Sequence, residues 1–180
     1  FEFRGKKLLF AVLMSTLFLP QVVLNVPQFV LFNKFGWIDS PIYLALIVPT
    51  MFATDTYFVF MLIQFLRNIP KELEEAATID GCGSFRLFFS IVIPLMRTIL
   101  ITVAVLNVMW IWNDYLLPSL IINKPGWQTL PLKTYLFFGQ FAKRWDLASA
   151  GLIMCIIPII IFYLCCQKYI VKGITDGAIK

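Results

Sequence analysis

Few side chains in this sequence could take part in covalent or acid–base chemistry, and none of them cluster. Histidine is absent. The cysteines, Cys82, Cys155, Cys165 and Cys166, have the spacing of neither a disulfide framework nor a zinc site and read as small apolar filler. With no acid pair inside an apolar run and no metal-ligand cluster, a membrane enzyme has little to work with. The residues that could act are polar groups set deep in apolar runs, where they could either line a path for a solute or clamp helices together. Asp55 stands near the middle of the apolar run 42–66, between Thr54 and Thr56. A carboxylate at that depth costs about 3 kcal/mol on insertion scales. It must therefore face a water-filled pathway or sit in a hydrogen-bonded clamp between helices that uses the flanking threonines. Asn107, Trp110 and Asp114 follow at i, i+3 and i+7, one helical face that could line the outer half of a pathway. The competing reading makes Trp110, Trp112, Asn113, Asp114 and Tyr115 an interfacial belt.

A second group of residues suits contact rather than passage. In the stretch 70–94, Pro70 fits the first turn of a helix, where its missing donor would be orphaned anyway, and Glu72, Glu74 and Glu75 fit the early turns favoured by the helix dipole. Leu73, Ala76 and Ala77 make a narrow face with small side chains that allows another surface to come close. Gly81 stops this helix in the left-handed conformation. Ser84 can cap a second helix with Phe85, Phe88, Phe89 and Val92 on one face. Pro94 separates that helix from the next apolar run. A loop that merely lies on the bilayer would carry bulky apolar and basic faces instead of acids and alanines.

The elements that hold these residues are membrane helices. Sixty per cent of the residues are hydrophobic, 14% are charged, and the mean hydropathy is +0.84, which places the chain among polytopic membrane proteins. A hydrocarbon core about 30 Å thick needs roughly 20 apolar residues per helical crossing. Four runs reach that length, 8–32, 42–66, 95–122 and 147–166. The first is interrupted by Pro20 and Pro27 with Asn25 between them, so it is expected to kink and to pack against other helices. The net charge of +5 forms no basic stripe, which disfavours a nucleic-acid partner. It is better read as orientation. Four crossings put Arg4, Lys6, Lys7, Arg67, Lys71, Arg86, Arg97, Lys168, Lys172 and Lys180 on the cytoplasmic side, leaving Lys34, Lys124, Lys133, Lys143 and Arg144 outside. The outer loop 123–146 mixes Trp127, Tyr135, Phe141 and Trp145 with basic residues, as a surface resting on lipid or under an external partner would. The opening FEFRGKK leads straight into an apolar run and suggests that further sequence precedes it.

At Glu75 the sequence becomes recognisable. Glu75-Ala76-Ala77, three residues, Gly81, nine residues and Ile91-Val92-Ile93-Pro94 resemble the cytoplasmic motif of ATP-binding-cassette importer permeases, with every spacing kept and Ile93 where leucine is usual. IPKELEEAATIDG, the WND at 112–114, TLPL at 129–132 and the closing KGITDGAIK are similar to the carbohydrate-uptake, maltose-type branch. The resemblance covers nearly all 180 residues.

It implies an all-α polytopic bundle, one permease domain over 1–180 with four spans, lacking the first two of the family's usual six. The segment 70–93 would be a coupling helix pair seated in a cleft of a cytoplasmic ATPase subunit, with Glu75, Ala76, Ala77, Asp80, Gly81, Ile91 and Pro94 as its residues. The chain would bind no cofactor or metal; ATP and Mg would belong to the ATPase. A second permease subunit, an extracytoplasmic solute-binding protein and membrane lipid would complete the partners. The location would be the cell membrane of a bacterium or archaeon, the inner membrane where there are two. There the chain would be multi-pass, with both ends cytoplasmic, and would import sugars or oligosaccharides by alternating access. Two readings stay open beside it: an importer of another solute, such as a glycerol phosphodiester or a polyamine, and a proton-coupled carrier with Asp55 as the proton site.

Overall fold

The computed structural model describes residues 3–52, 55–140 and 145–178. Thr54, Phe141, Lys143, Arg144 and Lys180, which entered the sequence reading, lie outside them. Among the described residues the secondary structure is entirely helical. The helices are α1 (Lys6–Thr16), α2 (Gln21–Lys34), α3 (Leu44–Thr50), α4 (Thr56–Arg67), α5 (Lys71–Ile79), α6 (Ser84–Leu95), α7 (Arg97–Asn113), α8 (Leu116–Ile121), α9 (Leu130–Gln140) and α10 (Trp145–Ala178). Among the described residues only α10 holds an unbroken stretch, Trp145–Tyr169, long and apolar enough to cross a bilayer. The pairs α1 with α2 and α6 with α7 reach that standard if each counts as one bent span, with bends of 102° and 69°. The run 42–66 is divided between α3 and α4. Of the two prolines expected to interrupt the first run, Pro20 is where the chain breaks, whereas Pro27 stays inside α2.

Contacts divide the chain into two compact units. The first comprises Phe1–Tyr57 and Trp110–Ile160. Its core gathers Phe32 from α2, Ala45 from α3, Ile121 and Ile122 at the end of α8, and Leu132 from α9, with Phe29, Trp37, Tyr43, Leu117 and Trp127 packed around them. Two turns are fastened over this core. Asp39 and Tyr43 adopt left-handed backbone at φ 53° and 51°, and the amide of Asp39 donates to the Ile121 carbonyl at 3.0 Å. The Tyr43 hydroxyl donates to the Trp127 carbonyl at 3.0 Å, which satisfies the polar end of a half-buried ring.

The second unit comprises Phe58–Met109 and Ile161–Lys180. Phe58, Ala77, Leu87, Met96, Ile99 and Val105 are its buried apolar residues. Thr102, fully enclosed, shares its hydroxyl between the carbonyls of Thr98 at 3.0 Å and Tyr169 at 2.9 Å, which fastens α7 to α10 through a polar contact in apolar surroundings.

Outside these cores the apolar side chains face outward. Ile153, Met154, Ile157, Ile161 and Leu164 of α10 are each more than half exposed, as are Val22, Val23 and Val26 of α2. In water such a surface would associate; in lipid it is the ordinary exterior of a helix.

Candidate coupling segment and pathway residues

The segment 70–94 is two helices joined by a tight turn, and local sequence explains the turn. Pro70 is the residue before α5, one position earlier than expected, with Glu72 and Glu74 in the first turn of the helix. At the other end Gly81 has φ 77°; its amide donates to the Thr78 carbonyl at 3.0 Å and the Cys82 amide to the Ala77 carbonyl at 2.9 Å. These two bonds and one left-handed residue form a Schellman turn, which satisfies carbonyls that the helix end would leave orphaned. A Cβ on Gly81 would meet nothing within 4 Å, so glycine is required there by backbone conformation and not by crowding inside this chain.

The two faces of the segment have different destinations. Glu75, Ala76, Asp80 and Gly81 are exposed, while Ala77 is 5% exposed and turned inward. Of the two alanines expected on a contact face, Ala76 is presented and Ala77 packs within the chain. Lys71, Glu74, Glu75, Thr78 and Ile79 line an open concavity on the outer side of α5. On the inner side Leu66, Pro70, Leu73, Leu87, Ile91 and Leu95 are among the residues around a groove of about 250 Å³.

The second helix departs from expectation in two ways. Gly83, and not Ser84, is its capping residue, and no side-chain bond caps it. Phe85 and Phe89 are 84% and 64% exposed, so the expected aromatic face is not the one the fold buries; Leu87 is buried and Ile91 half-buried in its place. Phe88–Val92 forms a π-helical turn immediately before Pro94. The Met96 amide bonds the Val92 carbonyl at 2.9 Å, and the chain then bends into α7. Pro94 itself is exposed.

Asp55 is exposed and directly precedes α4, in the interval between α3 and α4. Its neighbour Thr56 shares a 2.7 Å hydroxyl–hydroxyl hydrogen bond with Thr16 of α1, the kind of contact a clamp between helices requires. Asn107 is half-buried in α7. Trp110 is 56% exposed and meets the Tyr57 ring edge-to-face at 5.7 Å. Asp114 does not continue the face of α7, because that helix ends at Asn113. Its carboxylate instead accepts hydrogen bonds from the amides of Leu116 and Leu117, a local competition with helical bonding that starts α8.

Asp39, between α2 and α3, is tied to the chain after α8. Its Oδ1 accepts from the amides of Asn123 at 2.6 Å and Lys124 at 3.2 Å, and its Oδ2 from the Asn123 side chain at 3.4 Å. Desolvation pushes its pKa up, but these donors and the Lys124 charge outweigh that, so the group is held below the ordinary carboxylate value. Lys124 in turn lies over the Trp127 ring at 4.2 Å. An acid in a short Gly-containing turn was the available signal; its partners 84 residues away were not.

An all-helical chain with outward apolar faces, an angled helix pair ending in a Schellman turn and broken helices in its apolar runs belongs to the class of helical membrane transport subunits. Residues 1–176 match the family of binding-protein-dependent transport system inner membrane components, and the chain belongs to that family. It is 52% identical over 122 residues to the probable starch degradation products transport system permease protein AmyC of Thermoanaerobacterium thermosulfurigenes, covering 68% of this chain and 44% of that protein. It is 32% identical to the arabinooligosaccharides transport system permease protein AraQ of Halalkalibacterium halodurans, over all of this chain and 63% of the relative. With the melibiose/raffinose/stachyose import permease protein MelC of Bacillus subtilis it shares 33% identity over 99% of this chain and 64% of the relative. The chain thus spans less than two thirds of the length of each of these relatives.

Proposed function

We propose that the chain is the membrane-spanning permease subunit of a binding-protein-dependent, ATP-binding-cassette importer for sugars or oligosaccharides. The observation that carries this reading is the exposed outer side of α5, with Glu75 and Ala76 presented, Gly81 closing the helix in left-handed backbone, and α6 leading through Pro94 into α7. The family match and the sugar-uptake names of the relatives support it.

In this reading a cytoplasmic ATPase subunit receives the 70–93 segment in a cleft. Glu75 offers its carboxylate to a basic group, and the small Ala76 lets the partner's backbone approach. ATP and Mg bind the ATPase, whose closure displaces α5 and α6 together because the Schellman turn and the buried Ala77 and Leu87 join them. Pro94 and the 69° bend pass that displacement to α7. A second permease subunit completes the pathway, and a solute-loaded binding protein docks on the outer turns. The spans are multi-pass, with both ends of this sequence on the cytoplasmic side.

The test is uptake by the full-length protein with its ATPase, partner permease and binding protein. Import should persist when the proton gradient is collapsed and stop when ATP is depleted. The opposite pattern would assign the chain to a proton-coupled carrier.

A further inference from the structure

Helix α2 carries a polar stripe whose acceptors nothing in the described part of the chain satisfies. Asn25 is 4% exposed and Gln28 half-buried, and the side-chain oxygens of both, Asn25 Oδ1 and Gln28 Oε1, are enclosed without a hydrogen-bond partner. With Phe29 and Phe32 they fall at i, i+3, i+4 and i+7, the inward face of the helix. The outward face is Val22, Val23, Val26 and Val30, each exposed by more than half. An enclosed amide oxygen without a donor costs about 1–3 kcal/mol. Two on adjacent turns are therefore an expensive feature, and native structures keep such groups where a role accounts for them.

Position and chemistry indicate the role. Asn25 lies about 14 Å along the helix from its end at Lys34, close to the middle of a hydrocarbon core about 30 Å thick. One turn before it the apolar run is broken by the 102° bend between α1 and α2. Discontinuous helices near the bilayer midplane are where transporters build solute sites. Two neutral oxygens accept hydrogen bonds from hydroxyl groups, and Phe29 on the same face packs against the core of the first unit. A phosphodiester would need cationic donors and a polyamine would need carboxylates, and the inward face of α2 has neither.

We propose that Asn25 and Gln28 are hydroxyl-binding residues of the translocation pathway, accepting hydrogen bonds from a sugar as it passes. The proposal rests on the import reading given above. It goes beyond that reading by assigning solute contact to this subunit and to two residues on one helix.

The full-length permease, with its partner permease, ATPases and binding protein, is reconstituted in ATP-loaded proteoliposomes. Radiolabelled maltotriose, arabinotriose and raffinose are offered, and the one imported best becomes the probe together with its monodeoxy analogues. Asn25→Leu and Gln28→Leu should lower sugar imported per ATP hydrolysed by about tenfold or more, the equivalent of one lost hydrogen bond, while binding-protein-stimulated ATPase activity is kept. One deoxy analogue should be imported poorly by the wild type and no worse than the parent sugar by the matching leucine variant. Asn25→Ser, which retains an acceptor, should restore part of the import and carries the analogue comparison if Asn25→Leu does not assemble. Wild-type coupling and wild-type analogue preference in the variants would overturn the proposal. So would equal losses for every analogue accompanied by loss of ATPase stimulation, the mark of a packing role. Absence of ATP-driven uptake of all three sugars by the wild-type complex would count against the import reading itself, and the proposal would fall with it.

Discussion

Asp39 and Asn123 hold two turns of the first unit together. The Asp39 carboxylate accepts a 2.6 Å hydrogen bond from the Asn123 amide, and the Asp39 amide donates to Ile121, two residues earlier, at 3.0 Å. The same residue thus fixes a left-handed turn by its backbone and captures a distant loop by its side chain. Both turns rest on the core of Phe32, Ala45, Ile121 and Leu132, so this end of the unit is a preset surface.

The carboxylate gives this latch a pH dependence. Because its folded pKa is lowered, the stabilisation is fully present above the ordinary carboxylate value of about 3.9 and is lost as the pH falls through the folded value. Melting of the purified full-length protein in detergent should show a loss of Tm on acidification that is smaller in Asp39→Asn. Asp39→Gly, which tolerates φ 53° but has no acceptor, should lower Tm at neutral pH.

Gly81 separates conformation from crowding. Since a Cβ there has open space but a left-handed backbone, Gly81→Ala should cost about 1–2 kcal/mol of local helix-end stability. Gly81→Val, β-branched and more strained still, should leave the protein in the membrane yet lose co-purification with the ATPase.

The two alanines should respond differently to enlargement. Ala77→Leu places new atoms in a filled interior and should destabilise the subunit by about 1–3 kcal/mol. Ala76→Leu, on the exposed side, should leave Tm unchanged and reduce ATPase association. Equal effects of both on Tm would contradict the division of α5 into an inner and an outer side.

Asp55→Asn discriminates pathway from clamp. Lower uptake with unchanged Tm is expected if the carboxylate meets the solute. Lower Tm with unchanged coupling is expected if it supports the Thr16–Thr56 contact.

Local chemistry made the helix pair of segment 70–94 legible. A helix start after Pro70, acids in the first turn and Gly81 in the left-handed position are choices made within a few residues, and the sequence carries each of them. Features that depend on a neighbour were not legible. Pro20 and Pro27 are equivalent in local chemistry, yet only the first lies at a helix boundary. The spacing of Asn107, Trp110 and Asp114 assumed a continuous helix, and the Asp114 carboxylate ends that assumption by bonding the amides of Leu116 and Leu117. The π-helical turn at Phe88–Val92, and the burial of Leu87 while Phe85 and Phe89 stay exposed, are features that period counting does not detect. Asn25 was visible as a polar residue between prolines, but its enclosure with Gln28 is a tertiary fact.

The most direct test is a crosslink from the outer side of α5. Glu75→Cys in a Cys82→Ser background, carrying a short photoactivatable thiol reagent, is irradiated in membranes that contain the complete transporter. A covalent adduct with the ATPase subunit is expected, with a yield that changes between nucleotide-free and ATP-bound states. Adducts with lipid alone in both states would contradict the placement of this helix pair against an ATPase.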